Sequence, residues 1–206
     1  MNEASRAYHH GDLSAALLRA AEDILERDGL PALTLRGVAR AVGVSHAAPK
    51  NHFDDLTGLL SELAAVGFNR FAADLADAAG VAEANPGTRA DPIGRAYVTF
   101  ARAHPGMFGL MFRAERLDAT RPALRDATAT ARTTLRQAVA ASAPPAGAPV
   151  PPLASAARGV AIWSLVHGFA MLLLDGRLAG VLDALPPGED VDTLLDAVLS
   201  SIHFLE

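Results

Sequence analysis

The stretch Thr34–Phe53, TLRGVARAVGVSHAAPKNHF, constrains the fold more than any other part of the chain. Two short apolar-periodic segments flank a tight turn at Val42-Gly43-Val44. Thr34 and Ser45 each precede one of these segments, where a side-chain oxygen caps the free N–H groups of a first helical turn. Leu35, Val38, Ala39 and Val42 share one helix face at 3.6-residue spacing. Gly43 supplies the positive φ that a turn between two steeply crossed helices needs. The pattern predicts a helix-turn-helix whose second helix, from about His46 to His52, lies in the major groove of DNA. An ordinary helical hairpin inside an all-α core would leave the same trace.

Charge favours the nucleic-acid reading. Gly29–Phe53 contains no acidic residue, while Arg36, Arg40 and Lys50 are basic and His46 and His52 can add to them. Lys50 is the sole lysine of the chain. The net charge of −5 belongs entirely to residues 53–206, because residues 1–52 balance six basic against six acidic groups. A local basic face on an acidic body remains compatible with DNA, since charges beyond a Debye length are screened.

GDLSAALLRAAEDILERDG, followed by LTLRGVARAVGVSHAAPKNHF, resembles the N-terminal domain of the tetracycline-repressor-type (TetR) transcriptional regulators. The resemblance runs from about His10 to Leu60. It implies an all-α chain, with a three-helix DNA-binding domain at residues 1–55 and a helical effector-binding and dimerisation domain at 56–206. Two positions depart from the family pattern. Lys50 stands where a tyrosine usually faces the DNA backbone, and Leu56 stands where a lysine usually opens the next helix.

The DNA-facing candidates are Thr34, Arg36, Ser45, His46, Ala47, Lys50, Asn51 and His52. Lysine suits guanine or phosphate, asparagine suits adenine, and a small alanine can meet a thymine methyl. Plain solvent exposure is the competing reading for each. Pro49 lacks a backbone donor and disfavours α geometry at Ala48, so a short or tilted helix is expected. Phe53 turns inward as an apolar anchor.

Around this stretch, Met1–His10 reads as a polar arm carrying Arg6, Tyr8, His9 and His10. Asp12 is expected to cap a bracing helix that Gly29 ends. Asp55 or Thr57 caps a long helix reaching about Ala79, the natural lever for a ligand effect. Asn85-Pro86-Gly87 is a turn, and Ala143–Pro152, rich in proline, is a loop.

Ile93, Tyr97, Phe100 and His104 line one face of a helix ended by Pro105-Gly106. Met107–Phe112 is too densely apolar for a surface helix, so it is core or a cavity wall. His104 and His167 are the two histidines expected in the interior. The segment around Trp163-Ser-Leu-Val-His167-Gly168, with His104–Phe112, resembles a TetR C-terminal subtype named for its Trp-His-Gly motif. Tyr97, Phe100, Met107, Phe108, Met111, Trp163 and His167 are the ligand-binding candidates, with core packing as the alternative. Their mostly apolar character favours a small hydrophobic or aromatic effector.

Leu153–Leu174 is apolar nearly all round with small residues interspersed, and 190–204 holds a last amphipathic helix. Together they predict a four-helix homodimer interface.

Other chemistry finds no support. The chain lacks cysteine, which excludes disulfides and thiolate metal sites. No zinc-protease, nucleophile-elbow or phosphate-loop motif occurs, so no enzyme activity, cofactor or metal is expected. Met1–Gly11 is polar, and the longest uninterrupted apolar run, Phe169–Leu174, is far short of a membrane span. A soluble cytoplasmic repressor that binds a palindromic operator in double-stranded DNA as a homodimer and is released by a small effector is expected; a helical protein-interaction module with a vestigial helix-turn-helix is the alternative.

Overall fold

The computed structural model describes residues 3–84, 91–141 and 151–201, and among these every regular element is helical. In chain order the α-helices are α1 (Glu3–Asp28), α2 (Leu35–Val42), α3 (Lys50–Phe53), α4 (Leu56–Ala84) and α5 (Pro92–Ala103). They continue with α6 (Pro105–Met111), α7 (Pro122–Ala141), α8 (Pro152–Leu174), α9 (Ala179–Leu182) and α10 (Val191–Ser201). The expected turn at Asn85-Pro86-Gly87, the side chains of Arg6, Tyr8, His9 and His10, most of the proline-rich loop and residues 202–204 lie outside what is described.

Two compact units are present: residues 1–69 with 104–130, and residues 70–103 with 131–206. Within the first of these, α6 packs on α1.

In the first unit, α1 begins at Glu3, so Asp12 lies inside the helix and does not cap it. Residues 3–11 contain no proline, and Gly11 costs a helix interior only about 1 kcal/mol. Gly29 follows the helix with φ 78°, as a terminating glycine should. Thr34 caps α2 by accepting from the Gly37 N–H at 3.0 Å. Gly43 closes α2 in the left-handed region (φ 76°, ψ 29°), and Val44 N–H returns to the Ala39 carbonyl at 3.0 Å.

The segment after the turn differs from expectation. Residues 46–49 are turns, and α geometry is confined to Lys50–Phe53. Ser45 does not cap this helix through its side chain; its carbonyl accepts from Ala48 N–H, and Pro49 occupies the cap position. The cause is Pro49, whose missing N–H and fixed φ allow a helix to start after it but not to run through it.

Asp55 caps α4, accepting from Gly58 N–H at 2.8 Å. On α6, Pro105 takes the first helical position, and Met107, Phe108, Leu110 and Met111 are all buried. Each such side chain contributes roughly 1.5–3 kcal/mol on leaving water. Gly67 of α4 faces Met107 and Met111: a Cβ there would lie 2.8 Å from the Met107 sulfur.

In the second unit α5 packs on α8 and on α10. Gly94 admits Leu199 of α10 where a Cβ would collide at 2.6 Å. Arg95 with Asp196, and Arg102 with Asp192 at 2.6 Å, bridge the same two helices.

α8 departs from its sequence reading in one way. By length and composition it could cross a membrane, although no uninterrupted apolar run in the sequence is that long. Ser155, Gly159, Ser164, His167 and Gly168 interrupt the apolar run, and Arg158 adds the helix's one charge. It is also mostly uncovered: Leu153, Val160, Trp163 and Leu172 are exposed, and only Val166, Phe169 and Ala170 are buried.

Candidate functional site

The turn and one-turn helix between α2 and α4 present Ser45, His46, Ala47, Lys50 and Asn51 to solvent, as Thr34 and Arg36 also are. His52 is half-buried, its ring 6.0 Å from that of Phe53. Phe53 is 1% exposed and anchors the segment in the core. Of the eight candidates, Thr34 already uses its hydroxyl oxygen to cap α2, which leaves its role at a nucleic acid secondary to its role in the fold. The remaining outward groups are neutral or basic, and the strip from Gly29 to Phe53 remains free of carboxylates.

An unusual junction joins this segment to α4. Asp54 has φ 67° and ψ −58°, and Asp55 N–H donates to the Phe53 carbonyl at 2.8 Å. These define a positive-φ γ-turn, a conformation strained for a non-glycine residue by roughly 1–3 kcal/mol. Gly58 makes the turn possible, since a Cβ there would lie 1.9 Å from the Phe53 carbonyl oxygen. Arg121, which closes the turn Asp118–Arg121 immediately before α7, donates to Asp54 Oδ2 at 3.2 Å and to Glu62 Oε1 at 3.3 Å. Burial disfavours the guanidinium's charge, but the two carboxylates outweigh it and raise its pKa. Just upstream, Asp118 N–H donates to the fully buried Ser61 hydroxyl at 2.9 Å, and that hydroxyl donates to Thr57.

The second unit gathers four of the ligand candidates, Tyr97, Phe100, Trp163 and His167. Trp163 Nε1 donates to the Tyr97 hydroxyl at 3.2 Å, and that hydroxyl lies 3.0 Å from His167 Nδ1. The phenol oxygen can accept a second hydrogen bond besides the indole's, so which of Tyr97 and His167 donates is set by the imidazole tautomer. Burial lowers the His167 pKa below its ordinary value and pushes the Tyr97 hydroxyl well above its own. Phe71 meets Tyr97 and Phe100 edge-on, with ring centres 4.9 and 5.1 Å away. Tyr97 and Phe100 are each 1% exposed, whereas Trp163 is 42% exposed.

The other three ligand candidates, Met107, Phe108 and Met111, belong to α6 in the first unit and are at most 3% exposed. Phe108 packs against Phe112 with ring centres 4.9 Å apart. Neither His104 nor His167 is fully interior, since both are half-buried. Among the described residues no group of acidic residues and histidines is arranged to hold a metal ion.

Sequence reasoning missed Glu26, Asp54 and Arg121. Glu26 accepts from Gly106 N–H at 2.8 Å and Met107 N–H at 2.9 Å, tying α1 to the first turn of α6. No local pattern announces a partner eighty residues away. The signal that was available is Gly58, a glycine in the first turn of a long helix where alanine is the better helix former.

A helix-turn-helix head with an outward neutral-to-basic face, on an otherwise helical chain, defines the class of helix-turn-helix transcriptional regulators. Residues 92–202 match the family model described as "Tetracyclin repressor-like, C-terminal domain". The chain belongs to the tetracycline-repressor-like (TetR) family, whose members are DNA-binding transcriptional regulators.

Solved structures are similar over nearly the whole chain. A protein with unknown function from Rhodococcus sp. RHA1 is 33% identical, with 96% of this chain and 95% of that one covered and a TM-score of 0.70. SCO4313, provisionally designated a regulatory protein, is 22% identical, with 95% and 97% covered and a TM-score of 0.70. The multidrug binding protein EbrR, complexed with imidazole, is 19% identical, with 92% and 93% covered and a TM-score of 0.51; the last two likenesses concern the fold alone. No curated protein matches the chain.

Proposed function

We propose that this protein is a ligand-responsive repressor that binds a palindromic operator as a homodimer and is released by a small apolar or aromatic effector. The observation that carries the reading is the outward, carboxylate-free face of Ser45, His46, Ala47, Lys50 and Asn51, anchored from beneath by Phe53. Lys50 and Asn51 are the side chains with base-reading chemistry, and Arg36 supplies a phosphate contact. With one helical turn to present them, the direct readout is short, so shape and phosphate contacts carry much of the affinity.

Dimerisation is supported by the uncovered apolar face of α8. Leu153, Ala157, Val160, Ala161, Ser164, Gly168 and Leu172 follow helical spacing along it, with small residues between the larger Leu153, Val160 and Leu172. A second copy of α8, joined by α10, is the occupant that a two-fold repressor requires and that the small residues admit. The same cover accounts for the helix's apolar character in a cytoplasmic protein with no membrane partner. The functional division into a DNA-binding domain at 1–55 and an effector and dimerisation domain at 56–206 is part of this proposal.

Within the second unit the proposed effector contacts are Tyr97, Phe100, Trp163 and His167; within the first they are Met107, Phe108 and Met111. The neighbouring protein EbrR was crystallised with imidazole, a small aromatic compound, which agrees with this ligand class. No enzymatic role and no cofactor belong to the proposal. Selection of bound sequences from a random DNA library tests it. A two-fold symmetric consensus, occupied by two protomers and released by an apolar compound that raises the protein's melting temperature, is expected. Recovery of unrelated sequences would reject it.

A further inference from the structure

Asp54 occupies a conformation that only glycine adopts readily, directly after the one-turn helix that presents Lys50 and Asn51. Something must hold it there. Its own neighbours supply part of the restraint: Asp55 N–H closes the γ-turn on Phe53, and the Asp55 side chain caps Gly58. The remaining restraint comes from far along the chain. Arg121 reaches Asp54 and Glu62 together, with its side chain only 20% exposed, and Asp118 pins the approaching loop to Ser61.

The arrangement also bears on charge. Asp54 and Asp55 are exposed carboxylates beside a segment meant for phosphates. Left unpaired, Asp54 would repel the DNA backbone within a Debye length. Arg121 neutralises it and fixes its position. A planar guanidinium with several donors suits a bridge between two carboxylates, which a lysine ammonium would hold less rigidly.

We propose that Arg121 is a positioning residue for DNA binding: by bridging Asp54 and Glu62 it holds the γ-turn that sets the pose of Lys50–Phe53. This rests on the reading of Lys50–Phe53 as the DNA-reading segment. It adds that the loop between α6 and α7, not the helix-turn-helix alone, determines how that segment is presented.

The test compares wild type with Arg121→Gln, Asp54→Gly and the double variant, using amide hydrogen exchange without DNA and operator affinity with it. Arg121→Gln is expected to raise exchange about tenfold at the Phe53, Asp54 and Asp55 amides, while the Val38 amide of α2 stays protected. Operator affinity is expected to fall about tenfold. Asp54→Gly removes the need for the restraint, so adding Arg121→Gln to it should change neither measurement by more than about twofold. A structural role without positioning would lower melting temperature and affinity in both backgrounds alike, and that outcome overturns the proposal. Unchanged exchange at residues 53–55 in Arg121→Gln overturns it as well. If wild type selects no DNA sequence, the repressor reading fails, while the exchange arm still decides whether Arg121 holds the turn.

Discussion

The Glu26 carboxylate accepts one hydrogen bond from Gly106 N–H at 2.8 Å and another from Met107 N–H at 2.9 Å, and so caps α6 from α1. Pro105 leaves the first turn with few donors, and both that remain here go to a single anion, the charge a helix N-terminus favours. Gly106 lets α1 come this close, because a Cβ would sit 2.8 Å from the Leu25 carbonyl oxygen.

Replacing Glu26 with alanine leaves two N–H groups without their protein acceptor. A loss of about 1–2 kcal/mol is expected. For a chain of this length that lowers Tm by roughly 3–6 °C, readable by calorimetry. An unchanged Tm would mean that water replaces the carboxylate at no cost.

His167 gives the protein a pH dependence of defined sign. Burial depresses its folded-state pKa, so the unfolded chain binds the proton more readily. Its contribution is fully present above the ordinary histidine value, about 6.5, and is lost as pH falls below that value toward the depressed one. Tm measured at pH 7.5 and 5.5 should therefore drop less in His167→Gln than in wild type. The comparison between variants removes the background from the remaining titrating groups.

Much of this architecture was legible in the sequence, and the parts that were not share a physical cause. Thr34 and Gly43 act within four residues of their own positions, so the cap and the turn could be read directly. The extent of α8 and the start of α10 followed from their apolar content and the proline and glycine that flank them. By contrast, α3 came out shorter than expected because Pro49 leaves only one turn of α geometry after it. Asp12 failed as a cap because nothing in residues 3–11 stops the helix. Arg121 and Glu26 act across 67 and 80 positions respectively, and no local pattern encodes such partners. Tyr97, Phe100, Trp163 and His167 were readable only as candidates alongside Met107, Phe108 and Met111; that the first four gather in one unit, with Tyr97, Trp163 and His167 hydrogen-bonded, was not.

Lys50→Ala removes the only lysine and a cation from the outward face of α3. Operator affinity is expected to fall by about 1–3 kcal/mol if Lys50 reads a guanine, with relaxed preference at that base pair. If it meets phosphate instead, affinity falls equally for all sequences and the salt slope drops by about 1 per contact. Titration against the selected operator and single-base variants distinguishes these cases.

Val160 is 59% exposed in the centre of the apolar face of α8. Val160→Glu places a charge where the second copy is proposed to pack, and desolvating that charge without a partner is costly. Sedimentation equilibrium should show a dimer for wild type and a monomer for the variant, with little change in helical content. A variant that remained dimeric would place the two-fold interface elsewhere.

The proposed repressor binds DNA sequence-specifically as a dimer. The most direct measurement of this is fluorescence anisotropy of the purified protein against the selected palindrome and a scrambled duplex, over a series of salt concentrations. Tight binding to the palindrome with two protomers per site is expected, with an affinity that falls steeply as salt rises and remains at least about a thousandfold above that for the scrambled duplex. Equal, weak binding to both duplexes would contradict the account.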